Sequence, residues 1–178
     1  MPYVLFTHRH NFAVWAAARA TQRGFTKTPT LVAALEASGI QRVLAAPHFM
    51  DVDPMRFEEL HRLWCRSICA FLKNRAVANV AYGRAAKLTA VYLKSMIIVG
   101  GLAQAPVAHY IHPPIDRRLL QALAQDAALD NNQRDVWRQT NWTTMTEEAY
   151  YCLVHQLRGV IPARSAFLDV RGVLDASR

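Results

Sequence analysis

The stretch YGRAAKLTAVYLKSMIIV, beginning at Tyr82, constrains the fold more than any other part of the chain. Its spacing predicts a helix from about Gly83 to Val99, closed by Gly100 and Gly101. On a helical wheel Lys87 and Lys94 fall at nearly the same angle, two turns apart, with Arg84, Val91 and Ile98 on that side. The rest of the circumference is Ala85, Ala86, Leu88, Tyr92, Leu93, Met96, Ile97 and Val99. A helix that is apolar nearly all round is stable in water only if other elements surround it. The remaining chain must therefore supply a shell.

Helix signals for that shell recur. Asn11 to Arg23 is apolar and alanine-rich, with Gly24 as a stop. Thr28-Pro29 reads as a cap followed by proline, opening a helix that ends at Gly39. GIQRVLAAPHFMDV is a connector with a short helical turn. Asp53-Pro54 repeats the cap-and-proline signal before Phe57, Leu60, Trp64, Ile68, Phe71 and Leu72, which recur at helical spacing up to an end between Asn74 and Asn79. HPPIDRRLLQALAQ offers a further start with Asp116 in its first turn, and DNNQRD reads as a turn. Thr144 and Glu147 have capping-box spacing for a last helix that Gly159 would stop, and residues 160–178 read as an irregular tail. No strand pattern or internal repeat is present. The expectation is an all-α, single compact domain of six or seven helices spanning residues 1–178.

Length and composition agree with one packed core: 178 residues, 52% hydrophobic and 19% charged. Cys65, Cys69 and Cys152 are too few and too uneven for a disulfide framework, and MPYVLFTHRHNF lacks a signal-type run, so a cytoplasmic location is expected. The run around MIIVGGLAQAPVA is short and broken by Gly100, Gly101, Gln104 and Pro106, so no membrane partner is expected.

The net charge is +8, and its distribution matters more than its size. No acidic residue lies between Glu59 and Asp116, while Arg62, Arg66, Lys73, Arg75, Arg84, Lys87 and Lys94 all do. An acid-free cationic interval is the electrostatic footprint of a nucleic-acid binder. It also suits solvated helix faces whose acidic partners come from elsewhere in the fold.

Only four of the 21 basic side chains are lysine, so Lys87 and Lys94 stand out in an apolar helix. A lysine there either snorkels its ammonium to water or offers a neutral amine as a nucleophile. Asp116 is either a simple helix N-terminal carboxylate or an acid that stays ionised among cations and stabilises a developing sugar cation. His61, Cys65 and Cys69, at successive four-residue steps, have spacing for a metal site completed by His109 or His112, but no zinc-knuckle loop accompanies them; no metal and no cofactor are expected. Neither a P-loop nor a dinucleotide fingerprint is present.

YGRAAKLTAVYLKSM followed by PPIDRRLL resembles the helix-hairpin-helix DNA glycosylase superfamily, specifically its archaeal-type 8-oxoguanine DNA glycosylase branch, over roughly residues 75–125. The resemblance implies a helix-hairpin-helix glycosylase-like fold in which Lys87 is the catalytic nucleophile and Asp116 the catalytic aspartate, delivered by Pro114-Ile115-Asp116. The hairpin is reduced to Gly83. DNA is the implied partner, with Gly83, Arg84, Lys94, Arg62 and Arg66 at its phosphates and a flipped base as substrate. Phe12, Trp15, Trp64, Trp137 and Trp142 are aromatics that either stack on bases or fill the core. Two other readings of the same residues are a nucleic-acid-binding module without catalysis and a helical protein-interaction subunit.

Overall fold

The computed structural model describes residues 4–125 and 130–160. Eight α-helices lie among them: α1 (Leu5–Thr21), α2 (Thr28–Ala37), α3 (Ile40–Leu44), α4 (Pro54–Asn74), α5 (Tyr82–Leu93), α6 (Arg117–Leu123), α7 (Asn131–Gln139) and α8 (Glu147–Val160). Turns of 3-10 helix at Pro47–Asp51 and Pro106–His109 join them, and no strand occurs among the described residues. The all-α, single-domain expectation stands. The helix count exceeds the expected six or seven because the five-residue α3 and the turn-like DNNQRD segment are both helical.

α5 is the centre of the molecule, with eleven of its twelve residues buried. α1, α2, α4 and α8 pack around it. Small side chains make the α1 contact close: Ala13, Ala17 and Ala18 on α1 and Ala85, Ala86 and Ala90 on α5 are all buried with almost no exposure. Where side chains are methyl groups, two helices approach nearer than the usual 8–10 Å of bulkier pairs. α4 contributes Phe57, Leu60, Trp64, Ile68 and Leu72, the expected apolar face. Beyond Leu93 the helix widens into a π-helical segment, Lys94–Leu102, which Gly101 ends at φ +86°. From Tyr82 to Leu102 the helix is long and apolar enough to cross a bilayer by length and composition, with mean hydropathy 1.4 in its most apolar window. Here 61% of that window is buried in the protein's own core.

Several termini differ from the sequence expectation for local reasons. α1 starts at Leu5, a full turn or more before Asn11. Thr28 is not the cap, because α2 starts one residue earlier than expected with Lys27 at the N-cap; the Thr28 hydroxyl donates to the Gln22 side chain. Asp130 accepts from the Gln133 amide at 2.7 Å and so turns the expected loop DNNQRD into the start of α7. At α8 the cap is Thr146, whose hydroxyl accepts from the Ala149 amide at 3.3 Å; Thr144 is not used, and Gly159 lies inside the helix. Of the expected tail, residues 160–178, Val160 belongs to α8 and the rest lies outside the described residues.

The end of α4 is where expected, and its geometry is specific. The Val77 amide donates to the Leu72 carbonyl at 3.1 Å and the Ala76 amide to the Lys73 carbonyl at 2.9 Å, the two bonds of a Schellman motif. The left-handed residue that motif requires is Ala76, at φ +53°. Glycine normally stands there because a Cβ is crowded in that conformation.

Candidate active site

The side chain of Lys87 leaves the second turn of α5 and is buried, with 9% of the residue exposed. Its Nζ donates to Asp116 Oδ2 at 3.0 Å. Asp116 is the N-cap of α6: Oδ1 accepts from the backbone amides of Arg118 and Leu119, both at 3.0 Å. One carboxylate oxygen is thus fixed by a helix terminus and the other faces the amine. His112, Pro113, Ile115, Leu119 and Leu120 are buried around the segment that carries Asp116, so the acid is held on a rigid arm.

A third element completes the site. The connector between α7 and α8 lays Trp142 over the amine, with Lys87 Nζ 4.7 Å from the ring centroid. That connector is clamped to the start of α5. The Gly83 amide donates to the Met145 carbonyl at 3.1 Å, and Arg84 Nε donates to the Thr143 carbonyl at 3.2 Å. A Cβ built on Gly83 would stand 2.1 Å from the Trp142 carbonyl oxygen, so the close approach requires glycine. The Gly83 amide is therefore committed within the chain. Arg84 is buried, its guanidinium 4.3 Å from the Phe25 ring and 5.9 Å from Trp142, and desolvation pushes its pKa down.

On its outer side Trp142 lines a groove of about 420 Å³ together with Arg117, Gln121, Gln139, Asn141 and the indole of Trp137. Side-chain amides and arginines converge there on the half-buried Trp142, the Trp137 indole is fully buried beneath, and Lys87 and Asp116 are not among the lining residues.

No family model, no curated protein and no solved structure matches this chain.

Three cations of the acid-free interval, Arg62, Arg66 and Lys87, meet carboxylates from outside it, whereas Arg84 meets a backbone carbonyl and the Phe25 ring. Arg62 Nη1 and Nη2 donate to Glu147 Oε1 and Glu58 Oε1, each at 2.7 Å, and Arg66 grips both oxygens of Glu147 at 2.7 and 2.8 Å. Hydrogen bonds from Arg66 and then Arg62 hold the Glu147 carboxyl below the usual range, against its partial burial. Arg62 also lies 3.5 Å above the Tyr151 ring. Of the residues expected at phosphates, Arg62 and Arg66 bind this carboxylate, Arg84 and Gly83 hold the 141–145 connector, and Lys94 sits half-buried at the start of the π segment.

A buried polar layer gathers His61, His112 and Cys65, which the sequence offered as candidates for one metal site, with tyrosines that it did not single out. His61 and His112 come together with ring centroids 4.4 Å apart. Each is bonded to a tyrosine of α8: His61 Nδ1 to the Tyr151 hydroxyl at 2.9 Å, His112 Nδ1 to the Tyr150 hydroxyl at 3.1 Å. Tyr82 donates to Tyr151 at 3.3 Å. Burial, reinforced by Arg62 and Arg158, pushes the His61 pKa down to about 3, and burial beside His61 drives that of His112 well below its ordinary value. Both rings are neutral at pH 7. Cys65 packs against His61 at 3.8 Å and Thr89 at 3.6 Å, and burial pushes its thiol up to about 12, so it is an inert core thiol. Among the described residues no three His, Cys, Asp or Glu side chains are disposed to hold a metal. The aromatics divide as well: Trp64 and Trp137 are core, Trp142 is at the site, and Phe12 and Trp15 are exposed on α1.

Proposed function

We propose that the protein acts on DNA as a base-excision glycosylase and abasic-site lyase that works through a Lys87 Schiff base. The observation that carries this reading is the 3.0 Å contact between a buried primary amine and a carboxylate fixed at a helix N-terminus.

The chemistry follows from these groups. The ammonium gives a proton to Asp116, and the freed lone pair attacks C1′ of an extruded nucleotide. The glycosidic bond breaks with its electron pair going to the base, which takes up the proton held by Asp116 and so returns the carboxylate to its anionic form. The C1′–O4′ bond of the resulting N,O-acetal then opens, O4′ taking a proton from the Lys87 nitrogen, and leaves a protonated imine at C1′. Loss of a C2′ proton then expels the 3′ phosphate by elimination, and water hydrolyses the imine to restore Lys87. Asp116 stabilises the positive charge at C1′ by proximity. An oxidised guanine is the base this reading favours, and the cytoplasm is its place.

Borohydride trapping tests it, with duplexes carrying 8-oxoguanine or an abasic site. A covalent adduct is expected for the protein and for Lys94→Gln, and none for Lys87→Gln. No adduct with either duplex sinks the lyase reading; retention of DNA without adduct or base release leaves a binding module, and an adduct that moves with Lys94→Gln assigns the chemistry to the other lysine.

A further inference from the structure

The apolar side chains that stand in solvent are not scattered evenly. Met55, Leu63 and Val136 stand apart, but Val4, Leu5, Phe12 and Trp15 lie at α1 and Val99 and Leu102 on the π segment that packs beside it, with Phe12 next to Trp15 and sharing a cleft with Val99; Val99 is 69%, Trp15 55% and Leu5 and Phe12 each 51% exposed. Leu5, Phe12 and Arg19 follow one another at seven-residue steps with His8 and Trp15 between them, the spacing by which a helix presents a seam to another helix. α1 already buries its opposite face, Ala13, Val14, Ala17 and Ala18, against α2 and α5. Between α1 and the π segment runs a cleft of about 270 Å³, lined by His8, Arg9, Phe12, Ser95, Val99 and Gly100.

Charge decides what this face takes. The sequence has no acidic residue before Glu36 and none from 60 to 115, so both elements of the face lie in acid-free stretches. Arg9, Arg19 and Arg23 flank the seam, and none makes an ion pair among the described residues. A second copy would set one acid-free seam against another and bring like charges together. A nucleic acid would use the arginines but has no use for Val4, Leu5, Val99 and Leu102. An acidic amphipathic helix satisfies both the apolar seam and its basic rim.

We propose that α1 and the π segment form a docking groove for an acidic amphipathic helix of a partner protein, whose apolar residues seat along Leu5, Phe12, Trp15 and Val99 while its carboxylates meet Arg9, Arg19 and Arg23. Α helix in a groove is read through apolar anchors at three- and four-residue intervals, and the cleft between α1 and the π segment accepts one such anchor. The proposal is independent of the chemistry at Lys87, because the seam lies on the side of α1 turned away from α5.

The test is a display library of helical peptides with fixed apolar anchors at three- and four-residue spacing and randomised charged or polar positions. It is selected on the whole protein and counter-selected on the Phe12→Asp/Trp15→Asp variant, whose changes are at exposed positions. The expected result is enrichment of Glu- and Asp-rich peptides whose affinity falls at least tenfold on Arg9→Glu/Arg19→Glu and recovers when their acids are exchanged for lysine. Circular dichroism confirms that both variants keep their helices. Failure to enrich, or enrichment indifferent to charge reversal, overturns the proposal. So does a dimer in sedimentation, binding to phosphatidylglycerol vesicles or binding to oligothymidylate that is abolished by Phe12→Asp/Trp15→Asp, each of which assigns the face to another occupant.

Discussion

Lys87 Nζ and Asp116 Oδ2 meet at 3.0 Å although 29 positions separate them, and the carboxylate that pairs with the amine is the same one that caps α6. Two substitutions separate these duties. Asp116→Asn keeps an oxygen for the Arg118 and Leu119 amides, whereas Asp116→Ala leaves them without a partner. Asp116→Ala is expected to be the less stable of the two by about 1 kcal/mol, the worth of an N-cap, measured by urea unfolding at pH 7. Both variants lose the charge opposite Lys87, so both lose adduct formation if the amine reacts as proposed.

Gly83→Ala has an expected sign opposite to the usual one. Replacing a helical glycine by alanine ordinarily gains up to about 1 kcal/mol. Here the new methyl group meets the Trp142 carbonyl oxygen, so the variant is expected to lose about 1–3 kcal/mol, the range for overpacking. Tryptophan emission reports the accompanying displacement of Trp142, and an unshifted spectrum with raised stability contradicts the clamp.

Ala76→Gly, by contrast, relieves a residue held at φ +53° in the Schellman motif after α4. A gain of about 1 kcal/mol is expected, read as a higher urea midpoint with an unchanged slope.

Acid should act through the buried histidines. Their folded pKa values lie below the ordinary 6.5, with His61 at about 3, so below pH 6.5 the unfolded chain binds protons that the folded one refuses. Stability is full above pH 6.5 and falls with pH, each histidine contributing up to about 1.4 kcal/mol per pH unit. Unfolding of His112→Leu at pH 7.5, 6 and 5 is expected to show a shallower loss than the unsubstituted protein.

Glu147 acts at lower pH and with the same sign. Its carboxyl is held below 4.5 by Arg66 and Arg62, so its contribution is complete above that pH and is lost as the pH falls through the folded value. Glu147→Gln is expected to lower the urea midpoint at pH 7, and the difference from the unsubstituted protein is expected to shrink in 1 M salt and below pH 4.

What the sequence determined by itself was whatever depends on periodicity and nearby residues. The apolar circumference of residues 82–99 demanded a surrounded helix, Phe57 to Leu72 specified the face that α4 turns inward, and Asp53-Pro54 marked where α4 begins. Lys87 and Asp116 were singled out too, one as a lysine in an apolar helix of an arginine-rich chain and the other as the first acid after a long acid-free stretch, but not their contact. Ends of helices were less so, since Thr146 or Thr144, and Asp130 or a turn, differ by one hydrogen bond that short-range pattern does not distinguish. Only the tertiary structure decided the pairings. Glu147 answers Arg62 and Arg66 across more than 80 residues, two tyrosines of α8 take up His61 and His112, and a connector near the chain's other end sets Trp142 over Lys87. Such contacts join side chains whose separation in sequence carries no periodicity. They are fixed by how the shell closes around α5, where burial leaves each polar group stable only in the company of a partner.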